Sequence, residues 1–330
     1  MSENIETSEI TIGVVGLGLM GTSIATTFLL AGHPVKAIAP IPEDMALAPD
    51  HIRHQLLHCQ TSDLLSQPID GYLSQLTISE DYAQLKGCRL VLECVIEKSD
   101  IKASVYHKIA AEVGSDTIVA TNTSAIPISL LQKYIPHPER FLGIHWGEPA
   151  YLSRFLEITC GELTAMHHAE WAFNIAPYWG KEPTLLRKDI RGFVTNRLMY
   201  AIYREALTLV ENGEATLEDT DKAFRYDTGS WITLMGLFRR MDFEGLRDYP
   251  TIFKNIFPQL SNREDVPPLM QRMIDKQARG IQNAKGLYNY TKEEAQRWDE
   301  SFAAFNKDIY NLAKEYPADL ARKKNAKTED

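Results

Sequence analysis

The sequence is short of positive charge, of cysteine and of long uninterrupted apolar runs, and each shortage narrows what the protein can be. Its 35 basic residues against 44 acidic ones leave a formal net charge of −9. A chain that binds nucleic acid non-specifically needs the opposite balance, because basic side chains must displace counterions from phosphates. No nucleic-acid partner is expected. The four cysteines, Cys59, Cys88, Cys94 and Cys160, form no CxxC pair and stand at no ligand spacing with histidine. That argues against a zinc site and a disulfide framework alike, so no metal is expected. Met1 to Glu9 is polar and acidic, unlike a secretory leader. Ile12 to Ala31 is nearly uncharged and about long enough to span a bilayer, but its glycines and Thr-Ser-rich centre suit a buried strand, turn and helix. No membrane anchor is expected, and the chain reads as cytoplasmic.

What is present is enough apolar material for a sizeable core: 44% of 330 residues, a length that favours two domains over one. Ile10 to Val15 is a short apolar run ending on Gly16, as a buried parallel strand would. Gly18 to Leu30 reads as the helix after it, and Val35 to Ala39 as the second strand. Leu90 to Val95, Thr117 to Ala120, Phe141 to Ile144 and Phe155 to Ile158 repeat the strand character, with helical stretches such as Asp100 to Val113 between them. Alternation of this kind predicts an α/β fold, a Rossmann-type doubly wound parallel sheet. After about Arg187 helical periodicity takes over, predicting a smaller all-α C-terminal domain. The division is placed at 1–187 and 188–330. Thr216 and Thr291 each open a helix-entry box. The second box begins a long helix with Trp298, Phe302, Phe305, Ile309 and Leu312 in one stripe. That stripe is expected to pack on its own domain, with a subunit interface as the alternative. Ala321 to Asp330 is highly charged and reads as frayed.

Gly16-Leu17-Gly18-Leu19-Met20-Gly21 sits between the first strand and the first helix, the context in which GxGxxG acquires meaning. Gly16 allows the tight turn, Gly18 lets a pyrophosphate approach the backbone, and Gly21 permits close helix–strand packing. The N–H groups of Leu19 and Met20 then open a helix N-terminus suited to phosphate. A dinucleotide is therefore expected here. The acidic residue that normally ends the second strand and holds the adenine ribose is missing: the position falls on Ala39-Pro40. Glu43 or Asp44, in the following turn, are candidates to replace it. NAD is favoured, and NADP is not excluded because Ala39 stands where the acidic residue usually does.

Four further segments carry chemistry. They are Asn122-Thr-Ser124, Gly143-Ile-His145-Trp-Gly-Glu148-Pro149, Leu156-Glu157-Ile158 and Gly192-Phe-Val-Thr-Asn196-Arg197. Alcohol oxidation sends a hydride from carbon and a proton from oxygen. Histidine, with an ordinary pKa of ~6.5, can take that proton near neutral pH. Glu157 lies inside an apolar strand, where a carboxylate is costly unless paired, and pairing with His145 would orient the imidazole. Taken alone, His145 could equally be a locally satisfied histidine at a strand end. Together with the N-terminal glycines and Lys285-Gly286-Leu-Tyr288-Asn-Tyr290, the segments resemble the 3-hydroxyacyl-CoA dehydrogenase family over Ile10 to about Tyr290. The resemblance implies His145 as general base, Glu157 as its orienting partner, and Ser124 and Asn196 around the reacting oxygen. It further implies Glu97 and Lys102 near the cofactor, Asn122 beside the nicotinamide, and a homodimer formed through the helical domain. Taken alone, Ser124 and Asn196 could be caps, and Glu97 and Lys102 solvated helix charges.

Departures from the family pattern bear on substrate. Glu148 replaces the usual asparagine before Pro149, putting another carboxylate near the histidine; it is a candidate for substrate hydroxyls or simply a rim residue. Between Lys36 and Lys86 there is no lysine, and Arg53 is the only arginine, poor equipment for the phosphates of CoA. Arg154, Arg239 or Arg240 are candidates to grip a carboxylate. An aromatic cage from Trp146, Tyr151 or Trp231 would suit a quaternary ammonium. A compact free 3-hydroxy acid or polyol acid is thus the expected substrate, with a 3-hydroxyacyl-CoA the alternative. A non-catalytic, crystallin-like or dinucleotide-sensing protein is the remote one. The β-hydroxyacid dehydrogenases related to 6-phosphogluconate dehydrogenase share the opening glycines, but their Lys-x-x-Asn-Asn pattern is absent.

Overall fold

Short, β-branched, apolar runs of four to six residues build the sheet in this computed structural model, which describes residues 5–61 and 63–316. The strands are β1 (Ile12–Val15), β2 (Val35–Ile38), β3 (Leu76–Ser79), β4 (Leu90–Glu93), β5 (Ile118–Thr121), β6 (Phe141–Trp146), β7 (Phe155–Cys160) and β8 (Glu182–Leu186). They lie in the order β3-β2-β1-β4-β5-β6-β7-β8. β1 to β6 are parallel, β7 runs antiparallel to β6, and β8 is parallel to β7. The first six strands follow the doubly wound order, whose direction reverses beside β1 and opens a crevice at the carboxyl ends of β1 and β4. The sequence reading of this sheet is borne out; it did not pick out β3 or β8.

Alternation along the strands divides the core. Ile12, Val14, Leu90, Leu92, Ile118 and Ala120 face one cluster, which also takes Ile24, Phe28 and Ile52. Val15, Val91 and Val119 face the other, with Tyr106 and Ile109. Burial on both faces is the signature of a parallel sheet covered by helices on each side. Those helices are α1 (Leu19–Leu30), α2 (Pro42–Thr61), α3 (Ile69–Leu73), α4 (Ser99–Glu112), α5 (Ile128–Leu131) and α6 (Met166–Ile175).

The chain divides into two units, Met1–Thr195 and Asn196–Asp330. The helices that follow are α7 (Thr195–Glu211), α8 (Leu217–Ala223), α9 (Gly229–Glu244), α10 (Tyr249–Ile256), α11 (Pro268–Asp275) and α12 (Lys292–Glu315). Thr216 caps α8 by accepting from Asp219 N, and Thr291 with Glu294 forms a complete capping box on α12. The α12 stripe departs from the expected packing on its own domain: among the described residues its aromatics are largely exposed. Trp298, Phe302 and Phe305 are each more than half exposed. The charged end over Ala321 to Asp330 lies outside the described residues. Among the described residues, no helix is long and apolar enough to cross a membrane; Ile12 to Ala31 folds as β1, a turn and α1.

Candidate active site

The glycine loop shows why these residues are glycines. Gly16 has φ +92°, and a Cβ on Gly21 would stand 1.8 Å from the Gly16 carbonyl oxygen. No side chain fits there. Gly18 is different: nothing of the protein lies within 4 Å of where its Cβ would be. Packing does not require that glycine, whereas a pyrophosphate closing on the backbone would. Gly18 also forms the N-cap of α1 without any side-chain cap, so the first-turn N–H groups of Leu19, Met20 and Gly21 remain available to phosphate. These residues fit a dinucleotide. Ala39 is 1% exposed and belongs to the core, so its methyl is turned away from any ribose. Asp44 instead reaches the loop: Leu17 N donates to its Oδ2 at 2.9 Å.

At the end of β4 a buried charge cluster forms. Lys102 Nζ donates to both oxygens of Glu93, at 2.8 and 3.0 Å, and pairs with Glu97 at 3.3 Å. Glu93 and Lys102 are both 0% exposed. The hydroxyls of Tyr106 and Thr121 complete the Glu93 shell at 2.9 and 2.8 Å. Glu97 in turn accepts from the Thr123 hydroxyl and from Ser124 N. Lys102 is therefore no solvated helix charge. Satisfied on every side, it ties the strand end to the loop that carries Asn122 and Ser124. Asn122 Oδ1 accepts from Trp146 N at 3.3 Å, fixing that loop against β6. Glu93 was missed in the sequence because its side chain sits inside an otherwise apolar run.

His145 and Glu157 are direct partners in the β6–β7 register. A separation of twelve residues thus becomes a cross-strand pair, with side chains on the same face. His145 Nδ1 lies 3.4 Å from Glu157 Oε2, and Nε2 lies 3.1 Å from Ser124 Oγ. Glu157 is 1% exposed, and its other oxygen accepts from Val194 N at 2.9 Å and Thr195 N at 3.2 Å, at the entry of α7. Two aromatic rings flank the imidazole: Phe155 edge-on at 5.4 Å and Phe193 at 5.9 Å. Phe193 holds φ +51° beside Gly192 at φ +81°, an unfavourable conformation for a bulky residue, of the kind that clusters at functional sites. Both rings escaped the sequence reading, though Phe193 lies within a motif singled out there.

The loop after β6 is held from beneath. Lys181, 3% exposed, donates to the Ala150 and Ser153 carbonyls and lies 5.3 Å over the Trp146 ring. Burial pushes its ammonium down to about 7, and the nearby Arg154 adds to the shift. Trp146 is removed from any cage: alternation turns it opposite to His145, into the core against Phe28 and Trp179. Tyr151 is half-buried, bonded to His58 at 3.1 Å, its phenol pushed up to about 12 by burial and by the nearby Cys59 and Glu148. Glu148 is exposed. Arg154 pairs with Glu182 at 2.5 Å. In the second unit Asn196 is the second residue of α7. Trp231 lies on α9 under Arg240, which pairs with Glu244 at 2.5 Å.

Comparison with known proteins places most of the chain in one family. Residues 11–190 match the 3-hydroxyacyl-CoA dehydrogenase NAD binding domain, and residues 192–290 the C-terminal domain of the same enzymes. A 5-formyl-3-hydroxy-2-methylpyridine 4-carboxylate 5-dehydrogenase from Mesorhizobium japonicum is 34% identical over 286 residues, 86% of this chain and 91% of the relative. An L-carnitine dehydrogenase from Oceanobacillus iheyensis is 32% identical, over 71% of this chain and 76% of the relative. A crystal structure of the pyridine-carboxylate enzyme, described as an NAD+ dependent dismutase, superposes with a TM-score of 0.84 at 31% identity, covering 92% of this chain and 98% of that one. The chain belongs to the 3-hydroxyacyl-CoA dehydrogenase family and is an NAD-dependent oxidoreductase.

Proposed function

We propose that this enzyme oxidises the hydroxyl of a small free hydroxy acid, with His145 as general base oriented by Glu157. One observation carries the proposal: the two nitrogens of His145 face different groups, Ser124 Oγ and Glu157 Oε2. A carboxylate only accepts, so Nδ1 carries the proton and Nε2 presents a lone pair. The substrate hydroxyl gives its proton to Nε2 as the carbon–hydrogen bond breaks. NAD, when bound, supplies the acceptor for that hydride. Glu157 steadies the imidazolium that forms. At 3.4 Å its contact is long, as such bonds commonly are before substrate binds. The Ser124 hydroxyl and the Asn196 amide are assigned to the partial negative charge on the reacting oxygen. Gly16, Gly18, Leu19, Met20 and Gly21 are assigned to the pyrophosphate, and Glu97, Lys102 and Asn122 to the nicotinamide side.

A free acid is favoured over a CoA thioester on three grounds. The stretch from Lys36 to Lys86 has no lysine between its ends. Its one arginine, Arg53, is engaged by Asp70 at 3.4 Å. The names of two relatives specify a pyridine carboxylate and L-carnitine. Glu148, Arg154 and Trp231 are the proposed substrate contacts, Arg154 sharing its guanidinium with Glu182. We further propose a homodimer, supported by the exposed aromatic stripe of α12, and a reducing cytoplasm, supported by four free thiols. Initial rates with L-gulonate, L-carnitine, 3-hydroxybutyrate and 3-hydroxybutyryl-CoA test the substrate class. A free acid is expected to be preferred; strong preference for the CoA ester overturns the reading.

A further inference from the structure

We infer that Asp44, on the first turn of α2, is the residue that binds the adenosine ribose diol and makes the site select NAD over NADP. This rests on the dinucleotide site described above and concerns which residue of this chain confers its specificity.

In this fold the ribose diol is normally held by an acidic side chain at the end of the second strand. Here that strand ends at Ile38, and the next residue is Ala39. Ala39 cannot do the work by small shifts: its N–H is fixed on the Ser79 carbonyl at 2.9 Å, and its methyl is buried in the core. A carboxylate at that position would be buried with it. Pro40-Ile41-Pro42 then leads directly into α2. Proline suits the first helical position, where an N–H is not needed. The early start brings the first turn, with Glu43 and Asp44, back toward the glycine loop. Glu43 is exposed and Asp44 half-buried.

The Leu17 N–H lies between Gly16 and Gly18, and Asp44 Oδ2 accepts from it at 2.9 Å. One carboxylate oxygen is thereby pinned to the loop that receives the dinucleotide, and the other is left as an acceptor. The Leu17 N–H is committed to Asp44, so phosphate binding falls to the N–H groups that open α1. A vicinal diol has two hydroxyl donors to offer a fixed carboxylate. A 2′-phosphate has none and brings negative charge against it. The same side chain therefore attracts one cofactor and repels the other.

The test is fluorescence titration of NADH and NADPH into the wild type, Asp44→Asn and Asp44→Ala, alongside a thermal melt. Asparagine keeps an oxygen for Leu17 N–H and loses the charge. Wild type is expected to bind NADH the tighter. Asp44→Asn is expected to weaken NADH roughly ten- to a hundredfold, the range for a hydrogen bond to a charged group, and to narrow the gap to NADPH while melting like wild type. Asp44→Ala is expected to do the same to binding. If Asp44→Asn keeps both NADH affinity and discrimination, while Asp44→Ala lowers the melting temperature and weakens both cofactors equally, Asp44 is only a loop clamp and the inference is overturned. If wild type itself prefers NADPH, the NAD assignment beneath it fails instead.

Discussion

The two units of this chain treat their apolar residues in opposite ways. In Met1–Thr195 most strand residues are buried, and the large side chains of Tyr72, Tyr106 and Phe28 are fully enclosed. In Asn196–Asp330, Ala295 is the only described residue that reaches burial, while Phe238, Phe243, Trp298 and Phe302 are all more than half exposed. Both units are well supplied with aromatics, so composition does not make the difference. The first unit has two layers of helix against a sheet, and the two apolar faces of the sheet are covered within the chain. The second has helices whose apolar residues, Ala295 apart, are at most partly buried among the described residues. Burying an aromatic is worth about 1.5–3 kcal/mol, and leaving a contiguous set uncovered is the mark of an interaction surface. The proposed chemistry sits on the well-buried first unit, and the proposed homodimer rests on the exposed aromatics of the second.

The sharpest separation of the two roles comes from His145→Gln. Loss of a general base is expected to lower kcat by about 10²- to 10⁴-fold, while NADH affinity and oligomeric state stay as in wild type. Stopped-flow turnover with sedimentation of the same sample checks both halves. Retained turnover would remove His145 from the mechanism. The comparison itself is at risk in the pair Trp298→Glu with Phe302→Glu. Two aromatics of the proposed interface replaced by charges are expected to weaken self-association by on the order of a hundredfold or more, seen as monomer by analytical ultracentrifugation. A dimer of unchanged affinity would mean that the stripe is not the interface.

A smaller effect concerns the first unit's tolerance for a buried amine. In the fold, burial pushes the Lys181 ammonium down to about 7, whereas an unfolded-chain lysine titrates at ~10.4. Between those values the unfolded state binds more protons, so stability rises with pH. Below about 7 both states are protonated, and the cost of burying the charge is fully present. Urea midpoints at pH 7, 8 and 9 are expected to climb for wild type relative to Lys181→Met, by no more than about 1.4 kcal/mol per pH unit. Parallel curves would show that Lys181 keeps its proton in the fold. The smallest expected change is Thr291→Ala, which removes the cap of α12 and costs ~1 kcal/mol, read as a lower melting temperature with activity per assembled enzyme unchanged.

Local chemistry explains how much of this was legible beforehand. The glycine loop could be read because Gly16 and Gly21 obey backbone constraints that lie within a few residues. The helix cap at Thr216 and the capping box at Thr291 were legible for the same reason. The edge strand β8, Glu182–Leu186, was not, because Pro183 and its half-exposed alternation give no continuous apolar signal. Glu93 and Lys181 hid as well: a buried charge is recognisable only with its partners, and those come from Tyr106 and Thr121 for one and from Ala150 and Ser153 for the other.

The sequence by itself determined the doubly wound sheet, the dinucleotide loop and the residue types needed to move a proton and a hydride, since each is a short pattern with a local physical cause. Only the tertiary structure decided how those pieces meet. It set Glu157 opposite His145 through strand register, carried Asp44 back to Leu17, turned Trp146 into the core, and left the α12 aromatics largely exposed among the described residues. These are questions of which way a side chain points and what stands across from it, and they are answered by contacts between residues distant along the chain.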